Sequence, residues 1–151
     1  MKVIAVIGGS SVSPKYYELA RQAGGAIAEC GCALVCGGLS GVMEAGAKGA
    51  KEKGGMTIGI LPGKNKSDAN RYIDVAVPTG IGEARNFVII NMADAVIAVD
   101  GKEGTLSEIA FALKSKKPIA GIGTYDIRGI MKETSPKEAV KKLIKMVEVK
   151  N

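Results

Sequence analysis

Short apolar runs alternate with longer stretches of helical periodicity along the whole chain. "KVIAVIGG" (residues 2–9) is a continuous apolar run closed by two glycines, the pattern of a strand buried on both faces. Ser13 and Pro14 then offer a cap and a first helical residue, and "YYELARQAGGAIAEC" carries a helix weakened by Gly24 and Gly25. "CALVCGG" is the second run, and "GVMEAGAKGAKEKGG" a second helix ended by paired glycines. "MTIGILPG" is the third run, "KNKSDANR" a polar loop, and "YIDVAVPTG" the fourth.

"GEARNFVIINMADA" reads as a third helix, apolar on nearly every side through Phe87, Val88, Ile89, Ile90 and Met92. Such a helix needs cover on two sides, a sheet on one and a second copy of the chain on the other, so a homodimer or larger homo-oligomer is expected. "AVIAVDG", "TLSEIAFALKSK" and "KPIAGIG" continue the alternation, and "SPKEAV" opens a last helix with Ser135 as cap, Pro136 at the first position and Glu138 completing a capping box. Strand and helix in strict alternation predict a three-layer Rossmann-like α/β fold, a mostly parallel sheet of about six or seven strands with helices on both faces. In such folds ligands sit beyond the carboxyl ends of the strands, which selects the strand-to-helix loops.

Length adds that 151 residues make one domain, residues 1–151, with room for a core that needs no staples. With 46% hydrophobic and 24% charged residues the chain is an ordinary globular one, and no run reaches the ~18 to 20 apolar residues of a membrane span. The short first run meets glycines and serines rather than a cleavage site, so a cytoplasmic location is expected. There is no histidine, which excludes Ser-His-Asp and Cys-His nucleophiles. Cys30, Cys32 and Cys36 are an odd set without a C-x-x-C pair, read as small buried thiols of a reducing compartment rather than metal ligands. The formal charge of +6 points to anionic partners. Many of the lysines, however, fall at helical spacing in the tail, a solvated face. Four arginines and 4% aromatics supply a nucleic-acid surface poorly.

Three of the loops are rich in glycine: "GGSS" (8–11), "GGLSG" (37–41) and "GKEGT" (101–105). Glycine permits positive φ and close backbone approach, and each following helix offers free N–H groups and a positive dipole end, so together they suit a phosphate. None matches a dinucleotide fingerprint or a P-loop. Thr105 and Glu108 have the T-x-x-E spacing of a capping box. Alternatively, Glu108 faces the ligand crevice from the first turn of its helix, where the dipole favours the ionised form. Arg85 stands at the dipole-disfavoured start of its helix and calls for an anion. Its chain neighbours offer none at helical spacing: Gly82 is uncharged, Ile81 and Ile89 are apolar, and Glu83, two residues away, is expected to face elsewhere.

The ordered set "GGLSGVMEAGAKGA", "TIGILPG", "EARN" and "GTLSE" resembles the superfamily of the molybdenum-cofactor carrier proteins and the LONELY GUY phosphoribohydrolases, whose members are often labelled possible lysine decarboxylases. The resemblance runs from the first strand to about residue 122 and implies a Rossmann-like fold, usually dimeric or built from dimers. In the phosphoribohydrolases, which release a base from a nucleoside 5′-monophosphate, the pattern is P-G-G-x-G-T-x-x-E with an upstream R-K pair. Gly101, Gly104, Thr105 and Glu108 match it and Arg85 stands where the arginine should. The resemblance thereby makes Glu108 and Arg85 the catalytic candidates, a carboxylate stabilising an oxocarbenium-like state while the arginine anchors the ligand. Asp100, Lys102 and Asn86 depart from the pattern. They bring the chain closer to the carrier branch, which is similar in binding a phosphorylated pterin without turning it over. No constellation supports the decarboxylase label.

The expected ligand contacts are Gly8, Gly9, Ser10, Gly37, Gly38, Gly41, Met43, Arg85, Asn86, Gly101, Lys102, Gly104, Thr105 and Glu108, with no metal. The expected ligand is a phosphorylated nucleotide or pterin such as the molybdenum cofactor, in a carrier or sensor role. Nucleoside-monophosphate hydrolysis is the alternative. A DNA-processing role, suggested by charge and distant similarity within the superfamily, comes last.

Overall fold

The computed structural model describes residues 1–149. The first strand β1 (Val3–Gly8) leads to α1 (Pro14–Glu29), β2 (Ala33–Cys36), α2 (Val42–Glu52) and β3 (Thr57–Leu61). The polar 64–71 loop contains one 3-10 turn, Lys66–Asp68, before β4 (Val75–Pro78). A second 3-10 turn, Gly82–Ala84, runs directly into α3 (Arg85–Met92), followed by β5 (Ala95–Val99), α4 (Glu103–Lys114), β6 (Ile119–Ile122), β7 (Ile130–Lys132) and α5 (Pro136–Val149).

The seven strands form one sheet in the order β4-β3-β2-β1-β5-β6-β7, and every neighbouring pair is parallel. The period-2 geometry of β1 sorts its side chains: Ile4 and Val6 enter the layer built with α1, α2 and α5, and Ala5 and Ile7 the layer with α3 and α4. Both layers are apolar and buried, which accounts for the near-continuous hydrophobic strands. The expected three-layer α/β fold is the observed one.

Local chemistry behaves largely as the pattern requires. Ser13 Oγ accepts from the Tyr16 amide and Ser135 Oγ from the Glu138 amide, with Pro14 and Pro136 in the first helical positions. The second half of the expected box at Ser135 does not form, because Glu138 accepts from Lys141 instead. Gly24, costly to an isolated helix, has a packing reason, whereas a Cβ on Gly25 would meet only ordinary contacts at 3.6 Å. A Cβ on Gly24 would stand 1.9 Å from the Gly46 carbonyl oxygen, and one on Gly49 would stand 1.8 Å from that of Arg21. The backbones of α1 and α2 are therefore in direct contact.

Seven strands fall within the expected six or seven, and two finer expectations change. The seventh strand, β7, is only three residues of "IMK" and carries no apolar run of its own; it is defined by pairing with β6. Cys32 and Cys36 are buried but Cys30 is exposed, because it caps the end of α1. The third helix, read as apolar on nearly every side, carries buried polar residues at its start, Arg85 and Asn86, while Ile89 and Ile90 face the sheet. Phe87, Val88 and Met92 remain on the open side, Phe87 at 48% exposure, with Ile81 beside them. No helix among the described residues is long and apolar enough to cross a membrane.

Candidate functional site

The strand order reverses between β1 and β5, whose ends align at Gly8 and Val99. Beyond those carboxyl ends lies a cleft of about 270 Å³, the place the fold predicts for a ligand. It is lined by Gly8, Gly9, Ser10 and Ser11 from the first loop, Leu39 and Met43 from the second, Glu83, Arg85 and Asn86 from the start of α3, and Lys102, Gly104, Thr105 and Glu108 from α4. Ten of these positions were among the sequence expectations; Ser11, Leu39 and Glu83 were not. Ser11 and Leu39 both belong to the quoted "GGSS" and "GGLSG" loops, and Glu83 to the stretch before Arg85, so position pointed to all three though residue type singled out none.

Gly37, Gly38, Gly41 and Gly101 do not line the cleft but shape its walls. Gly41 has φ +67, and a Cβ there would lie 2.2 Å from the Gly9 carbonyl oxygen. With the Val42 amide donating to that oxygen and Ser40 Oγ donating to the Ser10 carbonyl, it welds the first two loops together. A Cβ on Gly37 would lie 2.8 Å from Arg85 Nη2, so this glycine makes room for the guanidinium. Gly38 packs on Gly59 and Leu61, and its carbonyl accepts from the Asn70 amide, tying the 64–71 loop to the same wall.

The capping box at Thr105 does not form. Asp100 (φ +49) and Gly101 (φ +110) turn the chain sharply, so α4 begins at Glu103 with Lys102 in the capping position. Proline, which the resembled pattern carries at position 100, cannot adopt a φ of +49, whereas aspartate tolerates it. Thr105 is consequently inside the helix and buried. Glu108 is its sixth residue, beyond the reach of the free N–H groups of the first turn.

That displacement reverses the expected ionisation of Glu108. Its side chain is buried, the residue being 7% exposed, and its carboxyl has no hydrogen-bond or ion-pair partner among the described residues. Burial pushes its pKa up to about 8; the nearby Arg85 charge pulls it down and that of Glu83 adds a small rise. At neutral pH the carboxyl is mostly protonated, able to donate as well as accept.

Arg85 is 4% exposed and held on several sides. Its Nε donates to the Ile60 carbonyl oxygen (2.8 Å), and its Nη1 donates to Asn86 Oδ1 and lies 3.6 Å from Glu83 Oε2. Glu83 therefore faces Arg85, contrary to the helical-spacing argument, because residues 82–84 form a 3-10 turn rather than α-helix. Asn86 Nδ2 in turn donates to Ser107 Oγ, which donates to the Gly104 carbonyl, linking the starts of α3 and α4. Arg85 Nη2 has no acceptor among the described residues. Cys36 lies beneath the site, its thiol pushed up to about 12 by burial, and is not a nucleophile at neutral pH. Among the described residues no three His, Cys, Asp or Glu side chains cluster to hold a metal.

Comparison with known proteins sets this geometry in context. A protein of Archaeoglobus fulgidus is 46% identical over 138 residues, 91% of each chain. The structure of the molybdenum cofactor binding protein from the phototrophic bacterium Rippkaea orientalis superposes with a TM-score of 0.90 at 37% identity, covering 97% of both chains. The molybdenum cofactor carrier protein from Chlamydomonas reinhardtii gives 0.87 at 30% identity over 99% of both. A cytokinin riboside 5′-monophosphate phosphoribohydrolase of Mycobacterium marinum is 35% identical over 99 residues, 64% of this chain but only 53% of that protein's length. The family model of the SLOG cluster4 family matches residues 1–151, and the chain belongs to that family.

Proposed function

We propose that the protein binds a phosphorylated nucleotide or pterin, the molybdenum cofactor among the pterins, at the cleft beyond β1 and β5, and that it carries or senses this ligand. The observation that carries the reading is a pair of buried groups, Arg85 and Glu108, that line one cleft and leave hydrogen-bonding capacity unused there. Neither group is sealed off as a buried unsatisfied atom; both open into the cleft, where a bound ligand can meet them. The residues fit a phosphorylated heterocycle. The phosphate end belongs at the start of α4, where free N–H groups, the dipole and the Lys102 ammonium all favour an anion, opposite the Ser10 and Ser11 loop. Similarity to cofactor-binding and carrier proteins along nearly the whole chain supports the same reading.

We further place a second copy of the chain on the open apolar face of α3, with the protein acting in the cytoplasm. Ile81, Phe87, Val88 and Met92 supply that face. Identification by mass spectrometry of small molecules released from natively purified protein tests the assignment. A phosphorylated pterin or nucleotide in near-stoichiometric amount is expected, and protein that binds neither when offered them refutes it.

Glu108 favours one second reading, hydrolysis of a nucleoside monophosphate. A carboxyl that holds its proton near neutrality is suited to donating it to a departing base. Release of ribose 5-phosphate from a panel of monophosphates, lost in Glu108→Ala, would establish that activity. Lys102 and Asn86, which depart from the hydrolase pattern, place binding first.

A further inference from the structure

Arg85 and Glu108 line the same cleft, yet they form no ion pair with each other. Glu83, Asn86 and the Ile60 carbonyl take Nη1 and Nε of Arg85, so among the described residues only its Nη2 edge lacks a partner, and Gly37 holds the space in front of that edge open. Opposite sign and shared burial would ordinarily bring two such side chains together. They are instead anchored from different elements, α3 and α4, and the Asn86–Ser107–Gly104 chain of hydrogen bonds fixes the spacing of those elements.

We infer that Arg85 and Glu108 together read a lactam edge, the adjacent ring N–H and C=O of an oxo-purine or oxo-pteridine, with Nη2 donating to the carbonyl and the Glu108 carboxyl accepting from the ring N–H. This inference rests on the proposed ligand cleft and assigns its deep end to the heterocycle. Two facts place the ring there rather than the phosphate. Arg85 is already partly neutralised by Glu83, whereas Lys102, in no ion pair among the described residues, and the free helix N–H groups lie at the start of α4, with Glu103 beside them as an exposed first-turn carboxylate. A phosphate beside the acidic Glu108 would also face repulsion whenever that carboxyl ionised. A lactam carbonyl has two lone pairs, one for Nη2 and one for the Glu108 hydroxyl when protonated. An amino group at the same ring position offers neither and turns an N–H toward Nη2, leaving a buried donor unpaired.

Two probe pairs differ in this edge alone: inosine 5′-monophosphate against adenosine 5′-monophosphate, and pterin against 2,4-diaminopteridine. Titration calorimetry on the wild-type protein should show the oxo member of a pair binding about tenfold or more tightly. In Glu108→Leu, which removes a carboxyl without a partner among the described residues and is not expected to impair folding, the preference should shrink at least threefold, the remainder being the share carried by Arg85 Nη2. Equal binding of oxo and amino members, or a preference undiminished in Glu108→Leu, overturns the inference while leaving a phosphate site intact. Failure of all four probes overturns it as well, and inorganic phosphate then separates the two readings. Protection by phosphate against thermal unfolding keeps the anion site, and its absence removes that too.

Discussion

Replacing Glu108 by glutamine should change the stability of the protein by an amount that depends on pH, because the wild-type carboxyl is buried without a partner among the described residues. Its pKa of about 8 in the folded chain, against an ordinary 4.5, means that the folded state binds more protons than the unfolded state between those values. Stability then falls as pH rises through this window. Each pKa unit corresponds to about 1.4 kcal/mol, so full ionisation above pH 8 costs on the order of 5 kcal/mol, and relaxation of the cleft or entry of water lowers this to roughly 2 to 5. Glutamine has nearly the same shape and does not titrate. Its buried amide adds an offset independent of pH, and all other titrating groups are common to both proteins, so they cancel in the difference. Urea denaturation of wild type and Glu108→Gln from pH 4 to 9 should give a difference that is flat below about pH 4.5, moves in favour of the variant up to about pH 8, and is flat again above. For a chain of this length, at about 2 to 4 °C per kcal/mol, the variant gains roughly 10 °C in Tm across the window. Parallel stability curves would show that Glu108 is solvated or paired, and would remove the argument that it awaits a ligand.

Other perturbations probe the scaffold around the cleft. Gly37→Ala sets a Cβ 2.8 Å from Arg85 Nη2 and 2.6 Å from Met43 Sδ, both ends of flexible side chains. It should weaken ligand binding at least tenfold by calorimetry while lowering Tm by only a few degrees. Lys117 Nζ caps the end of α3 by donating to the Ile90, Asn91 and Ala93 carbonyls, and burial holds its pKa below the usual lysine range. Lys117→Met should cost about 2 to 3 kcal/mol in chemical denaturation, because three carbonyls lose a charged donor. Gly49→Ala drives a Cβ to 1.8 Å from the Arg21 carbonyl oxygen and should destabilise by about 3 kcal/mol or more, since backbone must move. Phe87→Glu, on the open face of α3, should yield a monomer in light scattering with the Tm of the remaining fold preserved.

The layering of the fold was legible because a parallel sheet covered on both faces imposes near-continuous apolar strands, and glycine and proline punctuate them. Strand β7 was not, since "IMK" forms a strand only by pairing with β6. At the site, the loops and the pair Arg85 and Glu108 could be chosen from residue type and position beyond the strands. Their local chemistry could not. T-x-x-E is a capping box only if the threonine caps the helix, and the positive φ of Asp100 and Gly101 moves the cap three residues upstream, to Lys102. The same shift takes Glu108 out of the dipole's reach and leaves burial to set its ionisation. Glu83 reaches Arg85 through a 3-10 turn that helical spacing does not anticipate. The glycines were recognised as important, but which would face the cleft and which would hold its walls depends on contacts with distant residues such as Leu61 and Gly9.

The central claim is that this cleft takes a phosphorylated heterocycle with its phosphate at the start of α4. Calorimetric titration with inosine 5′-monophosphate and with inosine, on wild type and Lys102→Glu, tests it most directly. The account predicts that the monophosphate binds at least tenfold more tightly than the nucleoside to the wild type, that raising the salt concentration narrows this gap, and that Lys102→Glu abolishes it. Equal affinity of wild type for the two, or a phosphate preference untouched by Lys102→Glu, would contradict it.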